Sequence, residues 1–230
     1  MKRFFLLATF ATLLLASCET EEGVEIITLG DYPLKEYYLE RDPKVNTWGA
    51  GIDFIHEETT LATTDLDYEY LLETDTFSSD LKFYIIKAYY ENETGDIVSE
   101  GCPMVLLSST TTGCKLGAGV SFFDSLTVIT EDMTALLASD PVIDFEDFRD
   151  DSTGYYDRDL LYPAINTCLI GQSFRSNILV VPEGSTEEES QAVYLLKTEE
   201  NAYVKFMIRQ FKGDQPNEKQ TLFRWQVISE

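Results

Sequence analysis

The most regular pattern along the chain is an alternation of apolar and polar positions, which is typical of half-buried β-strands. Residues 81–90 are rich in aromatic and β-branched side chains and predict one such strand. Its apolar face recurs at every second residue and includes Leu81, Phe83, Ile85 and Tyr89. Residues 92–95 carry Asn and Gly, which favour a turn, so residues 96–98 are predicted to return as the second strand of a hairpin.

The C-terminal part of the chain shows the same alternation over three further segments. Residues 192–198 and 202–211 predict two strands joined by a tight turn, and residues 221–227 predict a last strand. The middle strand places three apolar side chains on one face, namely Val204, Phe206 and Ile208. The last strand alternates Thr221, Phe223, Trp225 and Val227.

The segments between these strands have less regular patterns. Residues 108–119 are rich in Ser, Thr and Gly and predict a loop, whereas the apolar residues 120–129 predict an extended segment. Residues 131–138 predict a short helix or turn, and residues 140–166 form an acidic, Tyr-rich connection of the kind that often carries function. Because no long helical face is present, the pattern predicts a mostly β, antiparallel fold, a sandwich of two sheets.

The first residues have the composition of an export signal. Lys2 and Arg3 precede an apolar run over residues 4–16, which is shorter than the roughly 20 residues needed to span a bilayer. The run ends in Leu-Ala-Ser-Cys, which resembles the lipobox of bacterial lipoproteins. In those proteins a peptidase cuts before the cysteine, whose thiol carries diacylglycerol. The resemblance implies that residues 1–17 are removed and that Cys18 becomes a lipid anchor in the membrane.

An acidic cluster follows this cysteine directly. Residues 19–22 read Glu-Thr-Glu-Glu and resemble the signal that sends lipoproteins to the cell surface in the Bacteroidota, although a solvated tether has the same composition. We therefore expect a lipid-anchored protein of the outer membrane that is exposed at the cell surface. The predicted organisation is an acidic tether at 18–30, additional N-terminal strands without assignment at 31–80, and a β domain at 81–230.

Composition and charge narrow the classes of partner. The chain carries 17 basic and 41 acidic residues, a net charge of −24, and removal of the signal with Lys2 and Arg3 lowers it to −26. A field of this sign repels nucleic acid, which is excluded as a partner. The chain is also 44% hydrophobic and 13% aromatic, too apolar for a disordered acidic chain. These values indicate a folded domain with an acidic surface.

Three cysteines remain beyond the predicted anchor. Cys102 and Cys114 are 12 residues apart in turn-rich surroundings, which suggests that they face each other across neighbouring strands. We predict a disulfide between them, with Cys168 unpaired, because an oxidising envelope permits such a bond. No Cys-x-x-Cys pair is present in the sequence, which argues against a zinc site or thioredoxin-like chemistry.

The C-terminal strands also carry a family resemblance. Residues 193–198 read Val-Tyr-Leu-Leu-Lys-Thr, residues 203–208 read Tyr-Val-Lys-Phe-Met-Ile, and residues 223–225 read Phe-Arg-Trp. This order resembles the end of the HmuY family, surface lipoproteins of the Bacteroidota whose founding type captures haem. The family pattern is an apolar strand ending in Arg/Lys-Thr, a turn, a Tyr-x-Lys strand, a loop and a final aromatic strand.

Further blocks upstream extend the resemblance to roughly residues 82–228. Residues 90–98 resemble the early hairpin of the family, residues 112–120 its Gly-rich loop, and residues 122–127 the strand that follows. Two departures stand against it. Residues 102–106 read Cys-Pro-Met-Val-Leu where the family usually has a Trp-Asp pair, and residues 24–80 have no counterpart.

The resemblance implies an HmuY-like fold that binds haem or another porphyrin and has an outer-membrane receptor as a partner. In the family, two His or two Met hold the iron, from loops that correspond to residues 134–192 here. This segment contains neither residue, and its residues 178–181 are aliphatic. Tyrosine and cysteine also serve as haem ligands elsewhere. The candidate ligands are therefore Tyr155, Tyr156, Tyr162 and Cys168, which are otherwise core or surface tyrosines and a spare thiol.

Catalytic patterns are weak in this sequence. His56 is the only histidine, and no Gly-x-Ser-x-Gly elbow is present. The acids crowded into residues 144–159 do not follow the EF-hand spacing and are typical of a solvated loop. We therefore predict a non-enzymatic surface lipoprotein that binds an extracellular ligand, haem or porphyrin by resemblance. The alternatives are an adhesin or assembly component that binds protein or glycan, and, third, a carboxylate-based glycan hydrolase.

Overall fold

The structure, a computed structural model, describes residues 27–39, 49–62, 79–150, 156–171, 191–212 and 219–229. The strands in these ranges are β1 (Ile27–Thr28), β2 (Lys35–Leu39), β3 (Gly49–Ile52), β4 (Thr59–Ala62), β5 (Leu81–Glu91), β6 (Ile97–Leu107), β7 (Thr112–Ala118), β8 (Val128–Ile129), β9 (Tyr156–Asp157), β10 (Ala192–Lys197), β11 (Tyr203–Lys212) and β12 (Lys219–Ser229). The helices are α1 (Val120–Ser125), α2 (Glu131–Thr134), a 3₁₀ helix (Phe145–Phe148) and α3 (Arg158–Ile165). The prediction of a mostly β, antiparallel fold is confirmed.

Two five-stranded sheets carry the fold. Sheet I has the order β2-β12-β11-β10-β7, and all its pairs are antiparallel. Sheet II has the order β4-β3-β5-β6, and the short strand β9 joins β5 in parallel beyond the end of β3. A small third pair is formed by β1 and β8. The confirmed hairpins β5–β6 and β10–β11 are those that the alternation predicted.

The N-terminal segments are built into these same sheets. Strand β2 lies beside β12 in sheet I, and β3 and β4 belong to sheet II, so the predicted additional strands are not a separate unit. The segment at 18–30, predicted as an acidic tether, ends in strand β1. Residues 27–30 already pair with the fold, since Leu29 N donates to Thr127 O at 2.7 Å and Gly30 N donates to Ile228 O at 2.8 Å. Residues 1–26, with the predicted signal and Cys18, lie outside the described residues.

A shared apolar core joins the two sheets. Phe206 and Phe223 of sheet I stack with their ring centroids 6.1 Å apart, and Phe83 of sheet II lies 6.0 Å from Phe223. Phe54, from the turn after β3, packs 5.6 Å from both Phe206 and Trp225. Each of these side chains is buried, and burial of an aromatic ring of this size stabilises a fold by about 1.5–3 kcal/mol.

The outer faces of both sheets are covered as well. Because successive side chains of a strand point to opposite faces, Tyr194 and Leu196 of β10 enter the shared core while Val193 and Leu195 face outward. The outward pair is nevertheless buried, since α1, α2 and the β1–β8 pair cover that face of sheet I. The 3₁₀ helix and α3 cover the outer face of sheet II in the same way.

Three segments differ from the structure that the sequence predicted. Residues 112–118 form β7 rather than a loop, and Gly113 is needed there for packing, because a Cβ would lie 2.6 Å from a methyl carbon of Leu169. Residues 120–125 form α1 rather than an extended segment, since Gly119, with φ of 91°, turns the chain out of β7. The irregular connection at 140–166 contains the eight-residue helix α3.

A buried lysine holds α1 against the outer face of sheet I. Lys205 of β11 is only 2% exposed, and its Nζ donates to Phe123 O at 2.9 Å and to Leu126 O at 3.1 Å. The ammonium group also lies 4.7 Å from the centroid of the Phe123 ring. Burial lowers the pKa of Lys205, and the nearby charge of Asp124 works against that shift. Lys205 therefore binds the C-terminal end of α1, where it gives Leu126 O a donor and Phe123 O a second donor beside Leu126 N.

Candidate functional site

Four half-buried aromatic side chains form a layer over the outer face of sheet II. We call this layer the aromatic cover, and its members are Phe145, Phe148, Tyr156 and Tyr162. Beneath it lie the buried side chains Ala88, Met104, Leu161 and Ile165. Leu161 and Ile165 are four residues apart on α3 and so share one helical face, which places Tyr162 toward the edge of the contact. The cover lies in the segment where the family resemblance places the ligand-binding loops.

The predicted ligand candidates are only partly brought together. Tyr156 on β9 and Tyr162 on α3 both belong to the aromatic cover, whereas Tyr155 lies outside the described residues. Cys168 follows α3 and is a buried free thiol, as predicted, but it is not part of the cover. Burial, together with the charge of Asp140, raises the pKa of Cys168 to about 12. The thiol is therefore protonated in the metal-free chain at neutral pH, and binding of a metal ion to Cys168 would require loss of this proton.

The chain that carries α3 is fastened to the edge of sheet II. One carboxylate oxygen of Asp140 accepts from Leu107 N at 2.9 Å, and the other accepts from Leu169 N at 2.7 Å. Val105 and Gly171 exchange two backbone hydrogen bonds of 3.1 Å. Because these bonds join the end of β6 to the residues after α3, they fix the position of α3, the helix that carries Tyr162.

Arginine and aliphatic side chains lie close in sequence to residues of the aromatic cover. The guanidinium of Arg158 lies 3.3 Å from the centroid of the Tyr90 ring and pairs with Asp159 at 2.7 Å. Arg149 pairs with Glu146 at 3.4 Å, while Arg175 lies outside the described residues. Two aliphatic side chains within three residues of a cover residue in sequence are turned to solvent, Val142 at 96% and Leu160 at 57% exposure.

The methionines and the histidine do not supply an open ligand near the cover. Met104 lies beneath it, fully buried, and Met133 is half-buried on the outer face of sheet I. His56 lies in the β3–β4 turn with its side chain 62% exposed. Across the described ranges, the structure contains no group of three or more His, Cys, Asp or Glu side chains placed to hold a metal ion.

The predicted disulfide between Cys102 and Cys114 is wrong in this structure. Cys114 is a free, buried thiol, and it lies on β7 of sheet I, whereas Cys102 lies on β6 of sheet II. Cys114 packs with Leu195 and Ile129 on the face of sheet I that points away from sheet II. The two cysteines are therefore on different sheets, and the thiol of Cys114 faces away from the strand that carries Cys102.

A buried carboxyl group that the sequence did not indicate lies at one end of the sheets, where several turns meet. Asp80 precedes β5 and is 6% exposed. Its Oδ2 accepts from Phe54 N at 2.9 Å, and its Oδ1 accepts from Thr111 Oγ1 at 3.2 Å. Its backbone adds two bonds, from Asp80 N to Ile52 O and from Ser108 N to Asp80 O, both of 3.0 Å. Asp80 therefore joins the β3–β4 turn and the β6–β7 turn.

The β3–β4 turn has its own carboxylate. Asp53 is buried, and one of its oxygens accepts from Ile55 N at 3.0 Å and from His56 N at 2.8 Å. Its other oxygen lies 3.0 Å from Nδ1 of His56. Glu57 of the same turn pairs with Lys35 of β2 at 2.7 Å. We call this group the turn clamp, and its members are Asp53, His56, Asp80 and Thr111.

Two members of the turn clamp, Asp80 and His56, have pKa values above those of the free side chains. Burial raises the pKa of Asp80 to about 6, and the charges of Asp53 and Glu200 act in the same direction, while the hydrogen bond from Phe54 N opposes them. The hydrogen bond and the charge of Asp53 raise the pKa of His56. The spacing of Asp53 and His56 is a local turn pattern that a sequence can show. The partners of Asp80 lie 26 and 31 residues away, and no local pattern points to them.

Comparison of the chain with protein-family models, with curated proteins and with solved structures finds no match. The HmuY resemblance over residues 82–228 therefore stays a prediction. In the described part of the chain, none of the helices has the length and apolar character needed to cross a membrane.

Proposed function

We propose that the chain is a non-enzymatic, lipid-anchored protein of the outer membrane, displayed at the cell surface, that binds an extracellular ligand on an HmuY-like two-sheet sandwich. The ligand class is haem or another porphyrin, as the family resemblance implies. The observation that carries the proposal is the aromatic cover, in which Tyr156 and Tyr162 lie half-buried in the segment that corresponds to the family's ligand-binding loops.

The chemistry of the cover suits a flat, largely apolar ligand. Aromatic rings bind such ligands by offset stacking, and the exposed Val142 and Leu160 extend the apolar area. Arg149 and Arg158 bring positive charge to this segment for a ligand with carboxylate groups, although each is paired with an acid, Glu146 and Asp159, and so offsets the acidic field only in part. Iron would have a tyrosine as its protein ligand rather than the usual His or Met pair, as in some haem proteins.

The exposed aliphatic side chains also favour the second candidate, an adhesin or assembly component that binds protein or glycan. Val142, Leu160 and Leu136 are all more than half exposed, and apolar side chains at the surface are common in protein–protein contacts. A haemin titration separates the two functions, because an adhesin would leave the absorption spectrum of haemin unchanged.

Haemin added to the purified protein is expected to bind weakly and to give a five-coordinate, high-spin spectrum. Replacement of Tyr162→Phe is expected to weaken binding further, because it removes the candidate oxygen ligand and keeps the ring. Tyr203→Phe on sheet I is the matched control and is expected to bind as the wild type does. A sharp low-spin spectrum that saturates at one equivalent of haemin, with a dissociation constant below about 1 μM, would refute tyrosine ligation.

The anchor is tested separately in cells grown with labelled fatty acid. Wild-type protein is expected to carry label and to partition into detergent, whereas Cys18→Ala is expected to lose both properties, because the thiol is the site of acylation. Cys114→Ala controls for loss of a thiol elsewhere. Equal label in the wild type and in Cys18→Ala would rule out the anchor while leaving the binding proposal to the haemin titration.

A further inference from the structure

We propose that the turn clamp is a proton-sensitive device, which holds the β3–β4 turn and the β6–β7 turn to the start of β5 more tightly in mildly acidic medium than at neutral pH. The proposal rests on the position of one buried carboxyl group at a junction of three chain segments. Asp80 bonds to Phe54 N on one side and to Thr111 Oγ1 on the other, so both turns depend on it.

The charges that face this carboxyl group are predominantly negative. Asp53 faces it from the β3–β4 turn and Glu200 from the β10–β11 turn. Glu58 and Glu200 also act on His56, which is the member of the clamp that can gain a positive charge. At neutral pH the clamp therefore concentrates like charges, and two of the carboxylates, those of Asp53 and Asp80, are buried. Protons on Asp80 and His56 both reduce that negative charge.

Protonation can remove the charge of Asp80 without loss of its hydrogen bonds. A neutral carboxyl group has one carbonyl oxygen, which can still accept from Phe54 N, and one hydroxyl group, which can donate to Thr111 Oγ1. Thr111 in turn lies 2.9 Å from Ser108 Oγ and can donate to it. The two turns keep their polar contacts in the protonated clamp, while the cost of burying a charge disappears.

The direction of the pH dependence follows from these groups. In the open chain Asp80 ionises near pH 3.8, whereas in the closed clamp the proton is kept to about pH 6, so stability falls as pH rises through that window. His56 also has a raised pKa in the closed clamp. Its contribution is present below pH 6.5 and is lost as pH rises through the folded value. Asp80 and His56 therefore both weaken the clamp as pH rises.

Hydrogen exchange of the full chain in detergent measures this opening directly, at the amides of Phe54 and His56, which bond to the clamp carboxylates. From the shift of Asp80, the opening equilibrium constant is expected to rise about tenfold between pH 5 and pH 7.5, after correction for intrinsic exchange. In Asp80→Asn, whose amide can make both contacts, the rise at Phe54 is expected to shrink to the part that His56 contributes. Asp31→Asn, an exposed acid away from the clamp, is expected to keep it.

A rise of the same size in Asp80→Asn, or no rise in the wild type, overturns the proposal. A second measurement does not depend on any variant. Carbon-13 nuclear magnetic resonance of the wild-type side-chain carboxyl groups is expected to show Asp80 titrating well above the ordinary aspartate value of 3.8. A midpoint for Asp80 at or below 3.8 also overturns the proposal, whether or not the Asp80→Asn protein folds.

Discussion

Replacement of Lys205 by alanine is expected to lower the free energy of unfolding by about 3 kcal/mol. The change removes two hydrogen bonds of 2.9 and 3.1 Å. Phe123 O then keeps only the bond from Leu126 N at 3.3 Å, and the buried carbonyl group of Leu126 loses its donor. Each buried polar group left without a partner costs about 1–3 kcal/mol. Unfolding in urea, followed by far-ultraviolet circular dichroism, measures the loss.

Two companion variants separate the ammonium group from the rest of the side chain. Lys205→Met keeps most of the apolar stem, so it is expected to recover only the packing part of the loss. Lys115→Ala on β7, where the lysine is exposed, is expected to change stability by less than about 0.5 kcal/mol. If Lys205→Ala were as mild as Lys115→Ala, the contact between Lys205 and α1 would have no energetic weight.

Phe206→Ala is expected to cost about 3–5 kcal/mol, because it opens a cavity where the two sheets meet. The ring of Phe206 lies 5.6 Å from Phe54, 6.1 Å from Phe223 and 6.4 Å from Tyr194, and it is fully buried. The same urea titration measures the loss. Since Phe54 belongs to the β3–β4 turn, the cavity is also expected to loosen that turn.

The controls for Phe206 vary size and burial in turn. Phe206→Leu keeps most of the volume and is expected to cost less than about 1.5 kcal/mol. Ile97→Ala removes an exposed aliphatic side chain at the start of β6 and is expected to be almost neutral. A loss below about 1 kcal/mol in Phe206→Ala would contradict the packing of sheet I on sheet II through this ring.

Lys205 and Phe206, which are neighbours on β11, also show how far the sequence could predict the fold. Alternation assigned Val204, Phe206 and Ile208 to one face, and in the structure all three contribute to the shared core. The same alternation would put Lys205 in solvent. It is buried because α1, some 80 residues earlier, covers the outer face. A covering layer from so distant a segment leaves no mark on the local pattern of a strand.

The candidate site was predictable to a different extent. Tyr156 and Tyr162 could be singled out by their chemistry and by the position of their segment in the family resemblance, and the structure places both in the aromatic cover. The pairing of the cysteines could not be predicted from the sequence, because a separation of 12 residues does not reveal that Cys102 and Cys114 lie on different sheets. Asp80 escaped notice because one acid before a strand resembles any solvated residue.

The pairing of β2 with β12 affects how the chain folds. Arg224 Nε and Glu36 Oε1 lie 2.8 Å apart although 188 residues separate them in sequence. The hairpins β5–β6 and β10–β11 close short loops and can form early, but β2 must wait until nearly the whole chain is present. Topologies dominated by such distant pairings fold in milliseconds to seconds rather than microseconds. Until β2 pairs with β12, the side of β12 that does not face β11 is an open sheet edge. Newly made chains are most exposed to association during that interval.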